Sequence, residues 1–266
     1  ILIIVQGDTG TALVFGAFVI VLYREGLNPT IIVIGLIAIA LFVLTLVFNQ
    51  LTLIIGIITI GVLIILFGKK NWKRILTVVA GMMIVISVVW SVDYFVNDVL
   101  KPHQQNRIKA LINPEADPLG YGWNVTQSKI AIGSGGLLGK GYLQGTQTKY
   151  DFVPEQSTDF IFCTLGEEQG WIGTTVVIFL FVFLLIRIVL IAERQKETFA
   201  RVYGYSVASI IFIHFLVNVG MTIGLFPVIG IPLPLFSYGG SSLWAFTILI
   251  FILLKIDAHR MQVLVR

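Results

Sequence analysis

The run Tyr150-Asp-Phe-Val-Pro-Glu-Gln-Ser-Thr-Asp159-Phe-Ile-Phe-Cys-Thr-Leu-Gly-Glu-Glu-Gln-Gly170 carries a polar segment into an apolar one with a carboxylate, Asp159, at the point of entry. A carboxylate can take a proton from a weak nucleophile such as a hydroxyl, and one at a lipid boundary suits chemistry on a lipid-borne substrate. The position suits a structural role as well. Ser157, Thr158 and Asp159 are all good N-cap types, and an anion at a helix N-terminus is stabilised by roughly 0.3–1 kcal/mol. The two roles are compatible and both stand open.

Other residues around this run carry candidate chemistry. Ile132-Gly-Ser-Gly-Gly-Leu-Leu-Gly-Lys-Gly-Tyr142 is flexible and contains a lysine, so its backbone N–H groups could wrap an anionic group, although glycines in loops also simply serve turns. The cations Arg107, Lys129 and Lys140 could meet a diphosphate or could be solvated surface. Glu155 could position a substrate or a metal, or pair with a loop lysine. Of Glu167 and Glu168, near the start of an apolar span, at least one should face a cavity or bond a neighbouring helix. His214 and Asn218, one helical turn apart, suit interhelical hydrogen bonds. Ser237-Tyr-Gly-Gly-Ser-Ser242 opens the last span with exposed N–H groups, or with glycines that allow tight packing. The single Cys163 excludes an internal disulfide and a multi-cysteine metal site. Gly139-Lys140 is followed by Gly141, so there is no Walker A motif.

The elements that must position these residues are membrane helices. The chain is 57% hydrophobic and 12% charged, with a mean hydropathy of +0.94, whereas soluble domains carry about 25% charged residues. The reading is an all-α fold, a polytopic transmembrane helical bundle forming a single integral membrane domain. Spans are expected near 10–23, 30–48, 51–67, 75–96, 160–191, 202–226 and 236–254, with the fifth long enough to tilt or break near Gly166 or Gly170.

Charge then sets the orientation. One set of connections carries Arg24; Lys69, Lys70, Lys73 and Arg74; Arg194, Lys196 and Arg201; and Lys255, Arg260 and Arg266. The alternate short connections, Asn49-Gln50 and 227–235, carry no charge, which puts the first set in the cytoplasm. The one large loop, 97–158, is then extracytoplasmic, and within it Asn124–Ile132 is expected to be a short amphipathic helix on the membrane surface. Because Ile1 lies inside an apolar run with no initiator Met, the chain is expected to be the C-terminal part of a longer protein.

Six motifs in order carry a resemblance: Asn113-Pro-Glu-Ala-Asp-Pro-Leu-Gly120, preceded by Arg107-Ile; Gln127-Ser-Lys-Ile-Ala-Ile-Gly-Ser-Gly-Gly136; Gly139-Lys-Gly141; Pro154-Glu155 with Thr158-Asp-Phe-Ile-Phe162; Gly166-Glu-Glu-Gln-Gly170; and Gly230-Ile-Pro-Leu-Pro-Leu-Phe-Ser-Tyr-Gly-Gly-Ser241. Together they resemble the shape, elongation, division and sporulation (SEDS) glycosyltransferases. Gly145-Thr-Gln-Thr148 and Asp151-Phe-Val-Pro-Glu155 are more similar to the RodA branch than to FtsW. Two departures are Gln6-Gly-Asp-Thr-Gly10, where the family has Pro in second place, and Ser157, where a His is common. Seven spans instead of about five after that first motif imply an inserted helical hairpin within about Thr30–Arg74.

The resemblance implies a peptidoglycan glycosyltransferase of the bacterial inner membrane that polymerises lipid II into β-1,4 glycan during elongation. It implies Asp159 as the general base on the extracytoplasmic side and undecaprenyl diphosphate as the leaving group. Arg107, Lys129, Lys140, Glu155, Thr158, Ser237, Gly239 and Gly240 become the candidate substrate contacts. No metal ligands are assigned, and a divalent cation stays open as a cofactor. Implied partners are a class B penicillin-binding transpeptidase and other elongation-complex membrane proteins; no nucleic acid is expected. An FtsW-like division paralogue, or a flippase or other transporter of lipid-linked precursors, are the alternatives; for transport, a site near the bilayer midplane would be expected instead.

Overall fold

The computed structural model describes residues 9–68, 71–100 and 121–260, together with 3, 102, 105 and 106. All regular structure among them is helical. The chain divides into two compact units, 28–112 and a second made of 1–27 with 113–266.

The 28–112 unit holds α3 (Pro29–Val47), α4 (Gln50–Leu66) and α5 (Trp72–Tyr94), the last continuing as a π-helical turn over Phe95–Val99. Each helix starts on an asparagine. The side-chain oxygens of Asn28, Asn49 and Asn71 accept hydrogen bonds from the N–H groups of Thr30, Leu51 and Lys73 at 3.0, 3.0 and 3.2 Å, satisfying donors the helix cannot pair itself. Pro29, which has no N–H to lose, follows the first cap.

The second unit contains α1 (Thr9–Gly16), α2 (Phe18–Arg24), α6 (Tyr121–Gly135), α7 (Thr146–Lys149), α8 (Ile161–Glu193), α9 (Thr198–Thr222) and α10 (Gly240–His259). Helix α9 is its centre and packs against α8, α10, α2 and α6. A core of Phe181, Ile188, Val207, Ile211, Leu233, Phe246 and Leu253 joins α8, α9 and α10 to the 223–239 connection.

Among the described residues five helices are long and apolar enough to cross a membrane: α3, α5 with its π turn, α8, α9 and α10. The spans expected at 10–23 and 51–67 fall on shorter apolar helices, 10–24 and 50–66; the first is interrupted by a turn at Ala17. Helix α6 departs from the expected surface helix. It runs longer, and Val125, Gln127, Ser128 and Ala131 are buried because it packs on α8 and α9, with the Ser128 hydroxyl donating to the Thr222 carbonyl at 2.9 Å.

Helix α8 is broken inside. Gly170 has φ +63° and ψ −160°, so Trp171 and Ile172 cannot reach the carbonyls of Glu167 and Glu168 that a regular helix would give them. The segment 136–141 fills the gap. The N–H groups of Trp171 and Ile172 donate to the carbonyls of Gly136 and Leu137 at 2.9 and 3.2 Å, while those of Lys140 and Gly141 donate to the freed carbonyls of Glu167 and Glu168 at 3.0 and 2.9 Å. Four main-chain bonds thus splice a loop into a helix. Glycine is required where the backbones meet: a Cβ on Gly135 would lie 2.0 Å from the Gly166 carbonyl oxygen, and one on Gly139 would lie 2.1 Å from that of Glu168.

Chain connectivity gives this unit two distinct ends. The starts of α8 and α10 and the end of α9 share one end with 136–159 and 223–239. At the other end Arg24 pairs with Glu193 and Arg201 with Glu25, at 3.0 and 2.8 Å, and Arg194 pairs with Asp257.

Candidate active site

Asp159 sits just before α8 but does not cap it. The helix begins at Ile161 with Phe160 in the cap position and no side-chain cap bond, so Asp159 is not its N-cap. Its partly exposed carboxylate accepts no hydrogen bond from the described residues and lies over Gly230, where a Cβ would come within 3.3 Å of Oδ2. Gly230 has φ +80°, so glycine serves both the turn and the space above it. Burial, with a smaller contribution from the negative charge of Glu155, pushes the Asp159 carboxyl above the usual aspartate range.

The main chain around Asp159 is held tightly. Three successive carbonyls accept hydrogen bonds from the 218–238 region: Ser157 from the Tyr238 N–H at 2.9 Å, Thr158 from the Ser237 hydroxyl at 2.6 Å, and Asp159 from the Asn218 amide at 2.8 Å. Ser237 Oγ also accepts from the Leu233 N–H at 2.7 Å, and the Asn218 amide also donates to the Ile231 carbonyl at 2.8 Å. Behind them, buried Val153, Phe160, Cys163 and Ala131 form an apolar floor.

The other expected site residues separate into groups. Thr158 and Glu155 join Asp159 locally, the Thr158 hydroxyl donating to Glu155 Oε2 at 2.9 Å; among the described residues Glu155 makes no lysine pair. Ser237 is brought to Asp159, with its hydroxyl bonded to the backbone at both Thr158 and Leu233. Gly239 is the residue before α10 and Gly240 its first, both free of side-chain caps. The Lys129 ammonium lies beside Gly224, where a Cβ would meet it at 2.6 Å, and forms no ion pair among the described residues. Arg107 lies outside the described residues.

Lys140 is engaged within the protein. Its ammonium is 2.7 Å from Glu167 Oε1 and also donates to the Thr146 hydroxyl at 2.7 Å, so its charge is matched within the protein. In the glycine-rich segment around it the N–H groups of Lys140 and Gly141 go to α8 and that of Gly139 goes to the Gly135 carbonyl, so these glycines serve packing and turns. Glu167 is fully buried and collects N–H donors from Thr146, Gln147 and Thr148 at 2.8–2.9 Å. Of the two acids considered in the sequence, it is Glu167 that bonds a neighbouring segment.

His214 and Asn218 also act differently from the expected interhelical pair. The His214 ring lies 3.2 Å from the Pro232 carbonyl and edge-on to Phe246, and Asn218 bonds the two loops. No group of three or more metal-ligating side chains occurs among the described residues. A cleft of about 470 Å³ beside the site is lined by Leu143, Thr148, Lys149, Gln156, Ser157 and Glu168, among others.

Comparison with known proteins identifies the family. Residues 23–262 match the FtsW/RodA/SpoVE cell cycle protein family. The peptidoglycan glycosyltransferase MrdB of Escherichia coli (strain K12) is 41% identical over 200 residues, 75% of this chain and 52% of that protein. The peptidoglycan glycosyltransferase RodA of Treponema pallidum (strain Nichols) is 42% identical over 197 residues, 74% of this chain and 45% of that one. The chain thus spans about half the length of these relatives. A chain in a solved peptidoglycan synthase complex, studied for its coordination of polymerization and crosslinking, superposes with a TM-score of 0.52 at 28% identity, covering 77% of this chain and 55% of that chain.

Proposed function

The chain belongs to the FtsW/RodA/SpoVE cell cycle protein family and is a multi-pass membrane protein, and from that premise we propose that it is the part of a peptidoglycan glycosyltransferase that carries the general base. The observation that carries the proposal is Asp159: a carboxylate with no hydrogen-bond donor from the described residues, on a main chain tied at three consecutive carbonyls. An acid kept only for structure would be engaged. With no donor among the described residues this one can accept a proton, and its raised pKa moves it toward the operating pH, where a base is most effective.

In the reaction, the 4-hydroxyl of the terminal N-acetylglucosamine of one lipid II attacks the anomeric carbon of a second chain. The hydroxyl proton passes to the Asp159 carboxylate as the new C–O bond forms. The bond to undecaprenyl diphosphate breaks with inversion, giving a β-1,4 link. A single direct displacement needs no covalent enzyme intermediate. The departing diphosphate needs cationic or N–H stabilisation, for which Lys129, Arg107 and the start of α10 at Gly239-Gly240 are the candidates.

The site belongs on the extracytoplasmic face of a bacterial inner membrane. The positive-inside rule supports this, since the basic connections gather at the opposite ends of α8, α9 and α10. Names of the relatives described above favour the elongation branch over the division branch. A class B penicillin-binding transpeptidase is the proposed partner, supported by the synthase complex among the structural relatives.

The test is polymerisation of purified lipid II by the full-length protein with no other glycosyltransferase present. Asp159→Asn should lower the rate by at least about 10²-fold. A variant that polymerises at the wild-type rate would overturn the assignment.

A further inference from the structure

We infer that Asn218 is the positioning residue of Asp159, holding from the buried face of α9 the main chain on which the acid stands. The inference rests on the base assigned to Asp159 above and extends it to a residue that approaches no substrate.

Asn218 is fully buried, and its amide nitrogen is 2.8 Å from the carbonyl oxygens of both Asp159 and Ile231. Two acceptors on that side fix which end of the amide is nitrogen, because the oxygen placed there would face two carbonyls. Both amide hydrogens are therefore committed, one to the loop bearing the acid and one to the 223–239 connection. Among the described residues the Asp159 side chain has no donor, so its direction is set by the backbone beneath it. Ser237 and the Tyr238 N–H fix the two preceding carbonyls, and Asn218 fixes the last. A base must lie within hydrogen-bond reach of its proton, and misplacement by about 1 Å can cost about 10²-fold in rate.

The experiment is a double-mutant cycle in the full-length protein on purified lipid II. Asn218→Leu keeps nearly the same volume and removes the donor. It should lower kcat by about 10-fold to 10²-fold while KM stays within about two-fold, the mark of a lost transition-state interaction with ground-state binding intact. Combined with Asp159→Asn, it should cause no further loss, because positioning a base that is gone has no effect. The acid limb of the kcat–pH profile should also move to lower pH in Asn218→Leu, since a loosened loop lets the carboxylate hydrate.

Unchanged kcat in Asn218→Leu, or losses that multiply in the double variant, overturns the inference. If Asn218→Leu does not fold, Ser237→Ala, which releases the adjacent carbonyl, is read through the same cycle by the same criteria. Failure of the underlying reading looks different: Asp159→Asn would itself retain wild-type kcat, whereas an inactive Asp159→Asn beside a fully active Asn218→Leu removes the positioning role alone.

Discussion

Lys140 and Glu167 form an ion pair of 2.7 Å in which the carboxylate is fully buried and the lysine side chain is 26% exposed. Twenty-seven residues apart in sequence, they join the glycine-rich segment to the first half of α8. Removing one partner of a buried pair costs about 3–5 kcal/mol, since the other charge stays behind unpaired.

The two partners should not be equivalent. Glu167→Leu strips the acceptor from three backbone N–H groups as well as from Lys140, whereas Lys140→Met leaves those three donors in place. Thermal unfolding of the full-length protein in detergent should show the larger loss for Glu167→Leu. The double variant should be more stable than the sum of the two single losses.

Asp159→Asn should unfold at or slightly above the wild-type temperature near neutral pH, because the carboxylate makes no cap or other hydrogen bond with the described residues. An appreciable loss of stability would show that it has a structural partner.

The same acid gives a pH dependence of definite sign. Its folded pKa lies above the unfolded value, so between the two the native state binds more protons than the unfolded chain, and this group's contribution falls as pH rises through the folded value. Asn cannot ionise. The stability of Asp159→Asn relative to wild type should therefore increase with pH across that window, and Glu155→Gln, by removing the neighbouring charge, should move the window downward. Thermal scans at stepped pH decide both.

Gly170→Ala should destabilise by well over the roughly 1 kcal/mol typical of point mutations. The residue has φ +63°, and an added Cβ would lie 2.3 Å from the Gly139 nitrogen and 2.7 Å from the Leu137 oxygen, main-chain atoms that cannot step aside. Thermal unfolding would show it. Gly133→Ala, with nothing within 4 Å of the new Cβ, is the control.

Sidedness is open to chemical labelling. In a Cys163→Ala background, a cysteine at exposed Tyr150 should react with a membrane-impermeant thiol reagent applied from outside, while one at Lys196 should not. The reverse pattern would invert the orientation.

Much of the helical frame was legible because it depends on composition and local chemistry. Apolar length marks the spans, asparagines mark the starts of α3, α4 and α5, and a 33-residue helix, about 50 Å at 1.5 Å per residue, exceeds a bilayer core of about 30 Å and had to tilt or break. The break falls at Gly170. Asp159 was legible as a residue at a boundary, but its freedom from the helix cap was not, since the same three residue types suit both uses and only the backbone at Phe160 decides. The pairing of Lys140 with Glu167 is not legible, because a lysine among glycines reads alike whether it faces a diphosphate or a buried acid. The loop partners of Asn218 are not legible, because nothing local places Asp159 and Ile231 beside its amide.

The splice at Gly170 constrains the order in which the molecule is assembled. Helix α8 cannot finish its own hydrogen-bond ladder, because two of its N–H and two of its C=O groups find their partners only in 136–141, a segment synthesised earlier. Unpaired main-chain groups are strongly disfavoured near hydrocarbon, so until that segment docks, the inserted helix is an unfinished intermediate. Docking of 136–141 and final seating of α8 are then a single cooperative event, and the amides of residues 140, 141, 171 and 172 should exchange with solvent deuterium as one unit.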